Sequence, residues 1–271
     1  MFSPRSLAPR RRRSVLGLLG SLILMSGMSV VSATAAAGAT ASTVAPVPSV
    51  GAIFADGATP QHTCTGSLLA AGSGLVLTAA HCVHGTGAGM TFVPGYDGTK
   101  KPVEPYGAWT VVRAWMPRLW VSAQDPSYDY AILQVDDRVI KGRIMGLSEL
   151  VKGNAAGVAA ALPDWVSVTG YVAGSGDAPI SCKVAPRVEQ GYPSFRCGGY
   201  LAGSSGSPWI DSTSVKGTST VDAVIGGLHQ GGCTDSTSYS SAFDTQIYVL
   251  EVRAILGLPA DSAPSTGDDG C

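Results

Sequence analysis

The sequence predicts an all-β fold with one helix near its C-terminal end. Short apolar stretches recur along the chain, and clusters of Gly, Pro, Ser and Asp separate them, as is typical of many short strands. The 271 residues include 35 glycines and 17 prolines, which favours barrels or sandwiches over a sheet joined by crossover helices. The predicted strands lie at 51–55, 67–71, 74–78, 109–115, 130–135, 166–172, 207–210 and 221–228.

The helix is predicted from residue 245 to about residue 256. Ile247, Leu250 and Ala254 recur at helical spacing and give one apolar stripe for burial. Gly257 and Pro259 follow the last of these residues and end the helix.

The first 35 residues are predicted to be a secretory signal peptide. Four arginines at 10–13 precede an apolar run from residue 15 to about residue 31, and Ala-Thr-Ala at 33–35 supplies a cleavage site. A membrane anchor is the alternative, although Ser21, Gly27 and Ser29 interrupt the run. Both general and twin-arginine export fit the arginines. We therefore expect a secreted, extracellular protein.

The rest of the chain divides into a linker, two β units and a tail. Residues 36–49 lack a periodic pattern and are predicted to form a flexible pro-segment or linker. The first β unit is predicted at 50–145, the second at 146–258 and the tail at 259–271. Lys-Gly-Arg at 141–143 and Lys-Gly-Asn at 152–154 interrupt the apolar pattern near the boundary between the units.

The charge balance argues against nucleic acid as a partner. Five of the 18 basic residues precede residue 41, so cleavage leaves 13 against 19 acidic residues, a net charge of −6. No second apolar stretch approaches the length of a membrane span. We expect a processed monomer without stable membrane association.

Six cysteines in an exported chain predict disulfides. Their fifteen possible pairings stay open on spacing alone. No Cys-x-x-Cys pair and no His-Cys spacing indicates zinc, so neither a metal site nor a cofactor is predicted, although a calcium ion held by loop carbonyls would leave little trace. The cysteines are Cys64, Cys82, Cys182, Cys197, Cys233 and Cys271.

Three short segments carry residues suited to nucleophilic catalysis. They are Thr-Ala-Ala-His-Cys at 78–82, Asp-Tyr-Ala-Ile-Leu at 129–133 and Gly-Ser-Ser-Gly-Ser-Pro at 203–208. A serine hydroxyl needs a base within hydrogen-bond reach and a third group to orient that base. Ser205, His81 and Asp129 fit these three roles.

The three segments resemble the His, Asp and Ser sites of chymotrypsin-like serine proteases, in the chain order of that family. The resemblance covers most of residues 50–258. It implies two antiparallel β-barrels of six-stranded type, a C-terminal helix, and a cleft between the barrels whose strand edges pair with a polypeptide substrate. It also implies catalysis by His81, Asp129 and Ser205, with the backbone N–H groups of Gly203 and Ser205 as an oxyanion hole.

Other aspartates and histidines near these segments are expected to have no catalytic role. Asp125, Asp136 and Asp137 compete with Asp129, but only Asp129 begins an Asp-x-Ala-x-Leu strand as the family's aspartate does. His62 and His84 are expected to be surface or loop residues.

The resemblance also selects disulfides. It pairs Cys64 with Cys82 beside the candidate catalytic histidine, and Cys182 with Cys197 before the nucleophile. Cys233 and Cys271 then remain, with a free or intermolecular Cys271 as the alternative.

Two departures from trypsin concern activation and specificity. The aspartate that precedes the nucleophile in trypsin is Ser204 here, so its ion pair with a new N-terminal ammonium cannot form. Six residues before the nucleophile, Gly199 replaces the aspartate that attracts Lys and Arg. Cleavage after basic residues would therefore need Asp235, or another acid, to reach the pocket.

The segment Gly-Gly-Leu-His-Gln-Gly-Gly at 226–232 resembles a glutamyl endopeptidase segment with a pocket histidine. His229 is therefore a candidate for binding a substrate carboxylate. Gly199, Tyr200 and His229 are the expected substrate-binding residues, and Tyr200 with Gln230 could instead line a pocket for uncharged side chains. The leading hypothesis is a secreted serine endopeptidase, and a non-catalytic binding protein or a serine esterase are the alternatives.

Overall fold

The structure is a computed structural model that describes residues 38–55, 61–158, 161–173, 178–211, 219–265, 267 and 270–271. The chain divides into two units, residues 1–36 and 37–271, and all described residues belong to the second. The predicted signal peptide at 1–35 therefore lies outside the described residues. No helix in the described ranges is long and apolar enough to cross a membrane.

Strands account for most of the regular structure. In chain order they are β1 (Ser42–Thr43), β2 (Val50–Phe54), β3 (Cys64–Leu68), β4 (Leu75–Thr78), β5 (Thr91–Pro94), β6 (Trp109–Trp115), β7 (Ala131–Val135), β8 (Arg138–Ile140), β9 (Arg143–Met145), β10 (Ala155–Ala156), β11 (Val166–Gly170), β12 (Ile180–Val184), β13 (Arg187–Glu189), β14 (Tyr192–Arg196), β15 (Pro208–Asp211), β16 (Thr220–Val224) and β17 (Thr237–Tyr239). The α-helices in the described ranges are α1 (Arg118–Ala123) and α2 (Gln246–Ile255).

The first half is a closed barrel with the strand order β2-β3-β4-β7-β6-β5. Its walls β4 and β7 are buried on both faces. Val76 and Leu133 fill the barrel interior, whereas Leu75 and Ile132 face outward into a second apolar cluster. Removing both faces from water explains why β4 is a continuous apolar run instead of an alternating one.

Helix α2 covers this outer face of the barrel. Ile247, Leu250 and Ala254 are its buried residues, and they pack with Leu75 and Ile132 in one cluster. The predicted apolar stripe and the predicted position of this helix are confirmed. Helix α1 was not predicted, since six residues are too few to show a helical repeat.

The second half consists of two sheets around a separate core. A six-stranded sheet has the order β1-β12-β11-β15-β16-β10, and a three-stranded sheet has the order β13-β14-β17. Val168, Phe195, Tyr200 and Trp209 are buried between them. The predicted all-β fold with a C-terminal helix is confirmed. The described residues close the first half into a barrel and form these two sheets in the second.

Two predicted segments take on structure that their composition did not show. Strand β1, inside the linker predicted at 36–49, pairs with Ile180 and Ser181 of β12. Backbone pairing at a sheet edge needs no apolar repeat, so the composition of this stretch does not show the strand. The assignment of residues 36–49 as a pro-segment or linker stays a prediction. We also propose that the halves divide after Val151 instead of at 145, since Leu147 and Val151 pack in the first core while β10 pairs with β16.

Candidate active site

Two neighbouring strands bring His81 and Asp129 together. In the pairing of β4 with β7, Thr78 lies opposite Ala131, so the residues after β4 and before β7 leave the barrel at one edge. The Asp129 carboxylate accepts hydrogen bonds from the backbone N–H of His81 at 2.9 Å and from its ring Nδ1 at 2.8 Å. Because a carboxylate only accepts, Nδ1 carries a proton, and Nε2 is the acceptor of the neutral ring.

Asp129 is fully buried, and backbone groups replace the water around its charge. Its Oδ2 also accepts the N–H of Gly227 at 2.8 Å, which gives the carboxylate three N–H donors. The backbone N–H of Asp129 donates to Ser241 Oγ at 2.9 Å, and Ser241 Oγ donates to the carbonyl of Pro126. The carboxylate is thus fixed from both sides.

Two of the aspartates that were alternatives to Asp129 accept hydrogen bonds from nearby backbone N–H groups. Asp125 accepts the N–H of Ser127, as a cap of the turn that precedes Asp129. Asp136 accepts the N–H of Asp137 after β7. Neither contact involves His81.

The loop before β15 presents Ser205 on a sharp turn. Gly203 has φ 92°, a region that side chains rarely adopt, and a Cβ there would lie 2.5 Å from the N of Ala173. Thr65 secures the loop at two points, because its N–H donates to Ser205 O at 2.7 Å and its Oγ1 donates to Gly203 O at 3.0 Å. Within the described ranges, no hydrogen bond is donated by the N–H of Gly203 or of Ser205.

Ser205 and His81 line one cavity of about 460 Å³ between the two halves. The hydroxyl of Ser205 makes no hydrogen bond to His81 among the described residues. Such contacts are often long in a site without substrate and tighten when it binds. The cavity is therefore lined by Ser205, His81 and Gly203 together.

The expected substrate-binding residues have different positions. His229 and Tyr200 line the cavity, as do Gln230 and Asp235. The hydroxyl of Tyr200 donates to Val168 O at 2.7 Å, and burial raises the pKa of Tyr200 well above its usual range. Tyr200 thus offers the cavity its ring and keeps its hydroxyl in the core.

Gly199 is not among the residues that line the cavity. The neighbouring Gly198 bridges to Thr40, and a Cβ on Gly199 would meet Ala41 at 3.6 Å. Its open side therefore faces the segment next to β1, and a contact of Gly199 with substrate stays a prediction.

His62 lies in the loop between β2 and β3, as one of the two expected placements has it, and it is 1% exposed. Its ring packs against Phe54, Tyr96 and Tyr171 in edge-to-face contacts. His84 is exposed and lines the cavity.

The six cysteines form three disulfides, Cys64–Cys82, Cys182–Cys197 and Cys233–Cys271. The first fixes the turn that carries His81. Two groups of a histidine with two cysteines lie close enough to share an ion, around His81 and around His229. All four of these cysteines are in disulfides, so they offer no thiolate and neither group fits a metal site.

Sequence reasoning did not find the residues that hold this site together. Thr65, Gly227 and Ser241 act on Ser205 or Asp129 across separations of 98 residues or more. Backbone donors and single hydroxyls leave no periodic signal in a sequence, so only the fold shows these contacts.

Comparison with known proteins assigns the family. A family model described as a trypsin-like peptidase domain matches residues 64–215, more than half of the chain. None of the curated proteins compared with the chain matches it. Among solved structures, the protease Anisep from Arthrobacter nicotinovorans is similar, with 27% identity, a TM-score of 0.65, and coverage of 80% of this chain and 100% of that chain.

Two further structures support the fold. A thermostable serine protease, AL20, from an extremophilic microorganism has a TM-score of 0.62 at 20% identity, covering 77% of this chain and 97% of that one. A Glu endopeptidase has a TM-score of 0.58 at 16% identity, and the match covers 80% of this chain and 97% of that one. The chain therefore belongs to the trypsin-like peptidase family, and it is a serine endopeptidase with the chymotrypsin fold.

Proposed function

We propose that Ser205, His81 and Asp129 form the catalytic triad of this endopeptidase. The contact of 2.8 Å between His81 Nδ1 and Asp129 Oδ2, at the edge of a cavity shared with Ser205, carries the proposal. His81 Nε2 takes the proton from Ser205 Oγ as this oxygen attacks the scissile carbonyl. The same nitrogen returns the proton to the leaving amine, and Asp129 stabilises the imidazolium in between.

The N–H groups of Gly203 and Ser205 form the oxyanion hole in this proposal. Neither donates elsewhere in the described part of the chain, and Thr65 secures both residues through their carbonyls. Donors held in this way need no reorganisation when negative charge develops on the substrate oxygen. Loss of one such donor typically costs about 3 to 4 kcal/mol of transition-state stabilisation.

Labelling with a fluorophosphonate probe tests the nucleophile. We expect the processed protein to be labelled, Ser205→Ala to lose labelling, and the matched control Ser73→Ala to keep it, because Ser73 lies in the turn between β3 and β4. Retained labelling of Ser205→Ala would refute the assignment. An absence of labelling in folded protein would favour a non-catalytic binding protein, and cleavage of esters without amides would favour an esterase.

We further propose that His229 gives the enzyme a preference for glutamate at the residue that supplies the acyl group. His229 lines the cavity beside Ser205, and an imidazole can donate to a substrate carboxylate. A charge-assisted hydrogen bond contributes about 1.5 to 3 kcal/mol, so His229→Ala should reduce kcat/KM for glutamyl peptides by about ten- to a hundred-fold. Equal loss for glutamyl and leucyl peptides would contradict a recognition role.

Asp235 favours a second specificity. It is exposed and lines the same cavity, so an acidic side chain is available there although position 199 is a glycine. Under this alternative, lysyl and arginyl peptides are the better substrates, and Asp235→Asn reduces their kcat/KM while His229→Ala does not. A peptide library with each variant separates the two preferences.

We propose that the protein is secreted and acts as a soluble monomer on polypeptides. Three disulfides are typical of oxidising compartments. A net charge of −6 after removal of the arginine-rich N-terminal segment disfavours nucleic acid. Size-exclusion chromatography with light scattering of protein collected from the medium tests both location and oligomeric state.

A further inference from the structure

Six residues with hydroxyl groups line the cavity that Ser205 shares with His81. Four of these hydroxyls already have a hydrogen-bond partner within the protein. The bonds run from Thr63 to Ile53 O, from Tyr200 to Val168 O, from Ser204 to Leu201 O, and between Thr234 and Ser236. In the described ranges, the hydroxyls of Ser205 and Ser238 form no hydrogen bond. Ser238 therefore carries the second hydroxyl, after that of the proposed nucleophile, that the cavity can offer to a substrate.

Ser238 differs in this respect from the other buried serines around it. It is 2% exposed, and a hydroxyl buried to this extent normally has a hydrogen-bond partner. The other buried serines of the second half each donate to a backbone carbonyl, and they are Ser194, Ser204, Ser207, Ser240 and Ser241. Among the buried serines that the structure describes in this half, only Ser238 has a hydroxyl without a partner. A hydroxyl that is left in this state at the wall of a cavity is available to a ligand.

The three-stranded sheet places Ser238 beside the core of the second half. Ser238 lies opposite Phe195 in the pairing of β17 with β14, so both side chains are on the same face of the sheet. The ring of Phe195 packs edge-to-face against Tyr200 and Trp209, with centroid distances of 5.2 and 5.1 Å. Because Ser238 and Tyr200 also line the cavity, Ser238 lies where the cavity meets this core.

Backbone hydrogen bonds on both sides of Ser238 hold it in position. The N–H of Cys197 donates to Ser236 O at 3.1 Å, and the N–H of Gly226 donates to Tyr239 O at 3.0 Å. A side chain on a strand that is held in this way is placed more precisely than one on a loop. The hydroxyl of Ser238 therefore needs little ordering when a substrate binds.

We propose that Ser238 is a specificity-determining residue that donates a hydrogen bond to the carboxylate of a glutamyl side chain bound in the cavity. This rests on the proposed function, in which His229 binds the same carboxylate. A carboxylate has two oxygens that accept hydrogen bonds, so one accepts from His229 and the other from Ser238. A leucyl side chain displaces water from the cavity and offers no acceptor, which leaves the hydroxyl of Ser238 without a partner. Ser238 thus discriminates against apolar side chains as well as in favour of glutamate.

Ser238→Ala removes the hydroxyl without breaking a hydrogen bond in the described part of the protein. Ser194→Ala is the matched control, because Ser194 is a fully buried serine of the neighbouring strand β14. Its hydroxyl donates to Arg187 O, and it does not line the cavity. Near-ultraviolet circular dichroism confirms that both variants are folded, and the urea midpoint of Ser238→Ala should be no lower than that of the wild type.

The assay compares kcat/KM for two peptide amides that differ only in the residue before the scissile bond, which is glutamate in one and leucine in the other. We expect the wild type to prefer the glutamyl peptide. In Ser238→Ala, the ratio of glutamyl to leucyl cleavage should fall by about ten- to a hundred-fold, which is the usual effect of losing a hydrogen bond to a charged group. In Ser194→Ala, the ratio should stay within about two-fold of the wild-type ratio.

The outcomes separate this inference from the proposed function. If the wild type prefers the glutamyl peptide and Ser238→Ala keeps the same ratio, the role of Ser238 is overturned and the proposed function stands. An equal fall of the ratio in Ser194→Ala also overturns it, because the sheet and not the hydroxyl would then be the cause. A wild type that is labelled at Ser205 but prefers leucyl or lysyl peptides overturns the carboxylate contact together with the preference assigned to His229, and the triad stands. A folded wild type that is not labelled by the fluorophosphonate overturns the triad itself.

Discussion

Replacing Asp129 with Asn tests the proposed triad at its most constrained position. The carboxylate accepts three hydrogen bonds, from the backbone N–H of His81 at Oδ1 and from His81 Nδ1 and the Gly227 N–H at Oδ2. An asparagine supplies one oxygen and one NH2 group to the same two places. Each of its two orientations therefore puts a donor against a donor.

The two orientations fail for different reasons. With the NH2 group towards His81 Nδ1, the ring must carry its proton on Nε2, and this tautomer cannot take the proton from Ser205. With the NH2 group towards the backbone N–H of His81, the tautomer is correct. That buried N–H then faces a donor, at a cost of about 1 to 3 kcal/mol, and no negative charge stabilises the imidazolium.

We expect Asp129→Asn to lower kcat for amide hydrolysis by about 10³- to 10⁴-fold, which corresponds to roughly 4 to 5.5 kcal/mol of transition-state stabilisation. The assay is hydrolysis of a chromogenic peptide amide, with near-ultraviolet circular dichroism to confirm that the variant is folded. Asp125→Asn is the matched control and should change kcat by less than about two-fold, because Asp125 caps a neighbouring turn. A folded Asp129→Asn variant that keeps more than about a tenth of wild-type kcat would refute the reasoning.

Two further substitutions test the hydrogen bonds that hold the Ser205 loop and the raised pKa of a carboxyl group in the second half. Thr65→Val leaves the buried N–H of Tyr171 without its acceptor and removes the hydrogen bond to Gly203 O. Urea unfolding should therefore show a free energy of unfolding lower by about 1 to 3 kcal/mol, and fluorophosphonate labelling of Ser205 should slow. An unchanged labelling rate would argue against a supporting role for Thr65. Burial, and then the charge of Asp211, raise the pKa of Asp222 to about 6 from 3.8. The folded protein thus holds this proton more tightly than the unfolded chain, and ionisation reduces stability as pH rises from about 4 to 6. Asp222 is partly exposed, so after solvent screening Asp222→Asn should add about 1 kcal/mol to the free energy of unfolding at pH 7 and nothing below pH 4. An equal change in the free energy of unfolding at pH 7 and below pH 4 would contradict the raised pKa of Asp222.

The strands whose apolar side chains are buried in a core could be predicted from the sequence. The stretch predicted at 109–115 coincides with β6, and the stretch predicted at 74–78 contains β4. Burial selects apolar side chains in these strands, and this selection is visible in a sequence. Strands β1 and β10 have two residues each and are held by backbone pairing, so their sequences show no apolar pattern that would predict a strand.

Two features that the sequence did not predict depend on contacts between distant segments or on backbone conformation. His62 stands in a polar stretch of sequence, yet Tyr96 and Tyr171 come from other parts of the chain to enclose its ring. The segment 228–231 has the composition of a glycine-rich loop, and the left-handed φ values of His229 and Gln230 are visible only in the structure. Local composition is insensitive to both effects.

Ser204 shows how the site can be formed without the ion pair of trypsin. It is buried at 3% exposure, its Oγ donates to Leu201 O at 2.6 Å, and its carbonyl accepts the hydroxyl of Ser207 at 2.6 Å. A buried aspartate at this position would need a cation to compensate its charge, whereas a hydroxyl is satisfied by the adjacent backbone. Thr65 bonds to Gly203 and Ser205 as well, and these hydrogen bonds order the loop through neutral groups. We therefore expect the oxyanion hole to be in place without an ammonium group generated by cleavage.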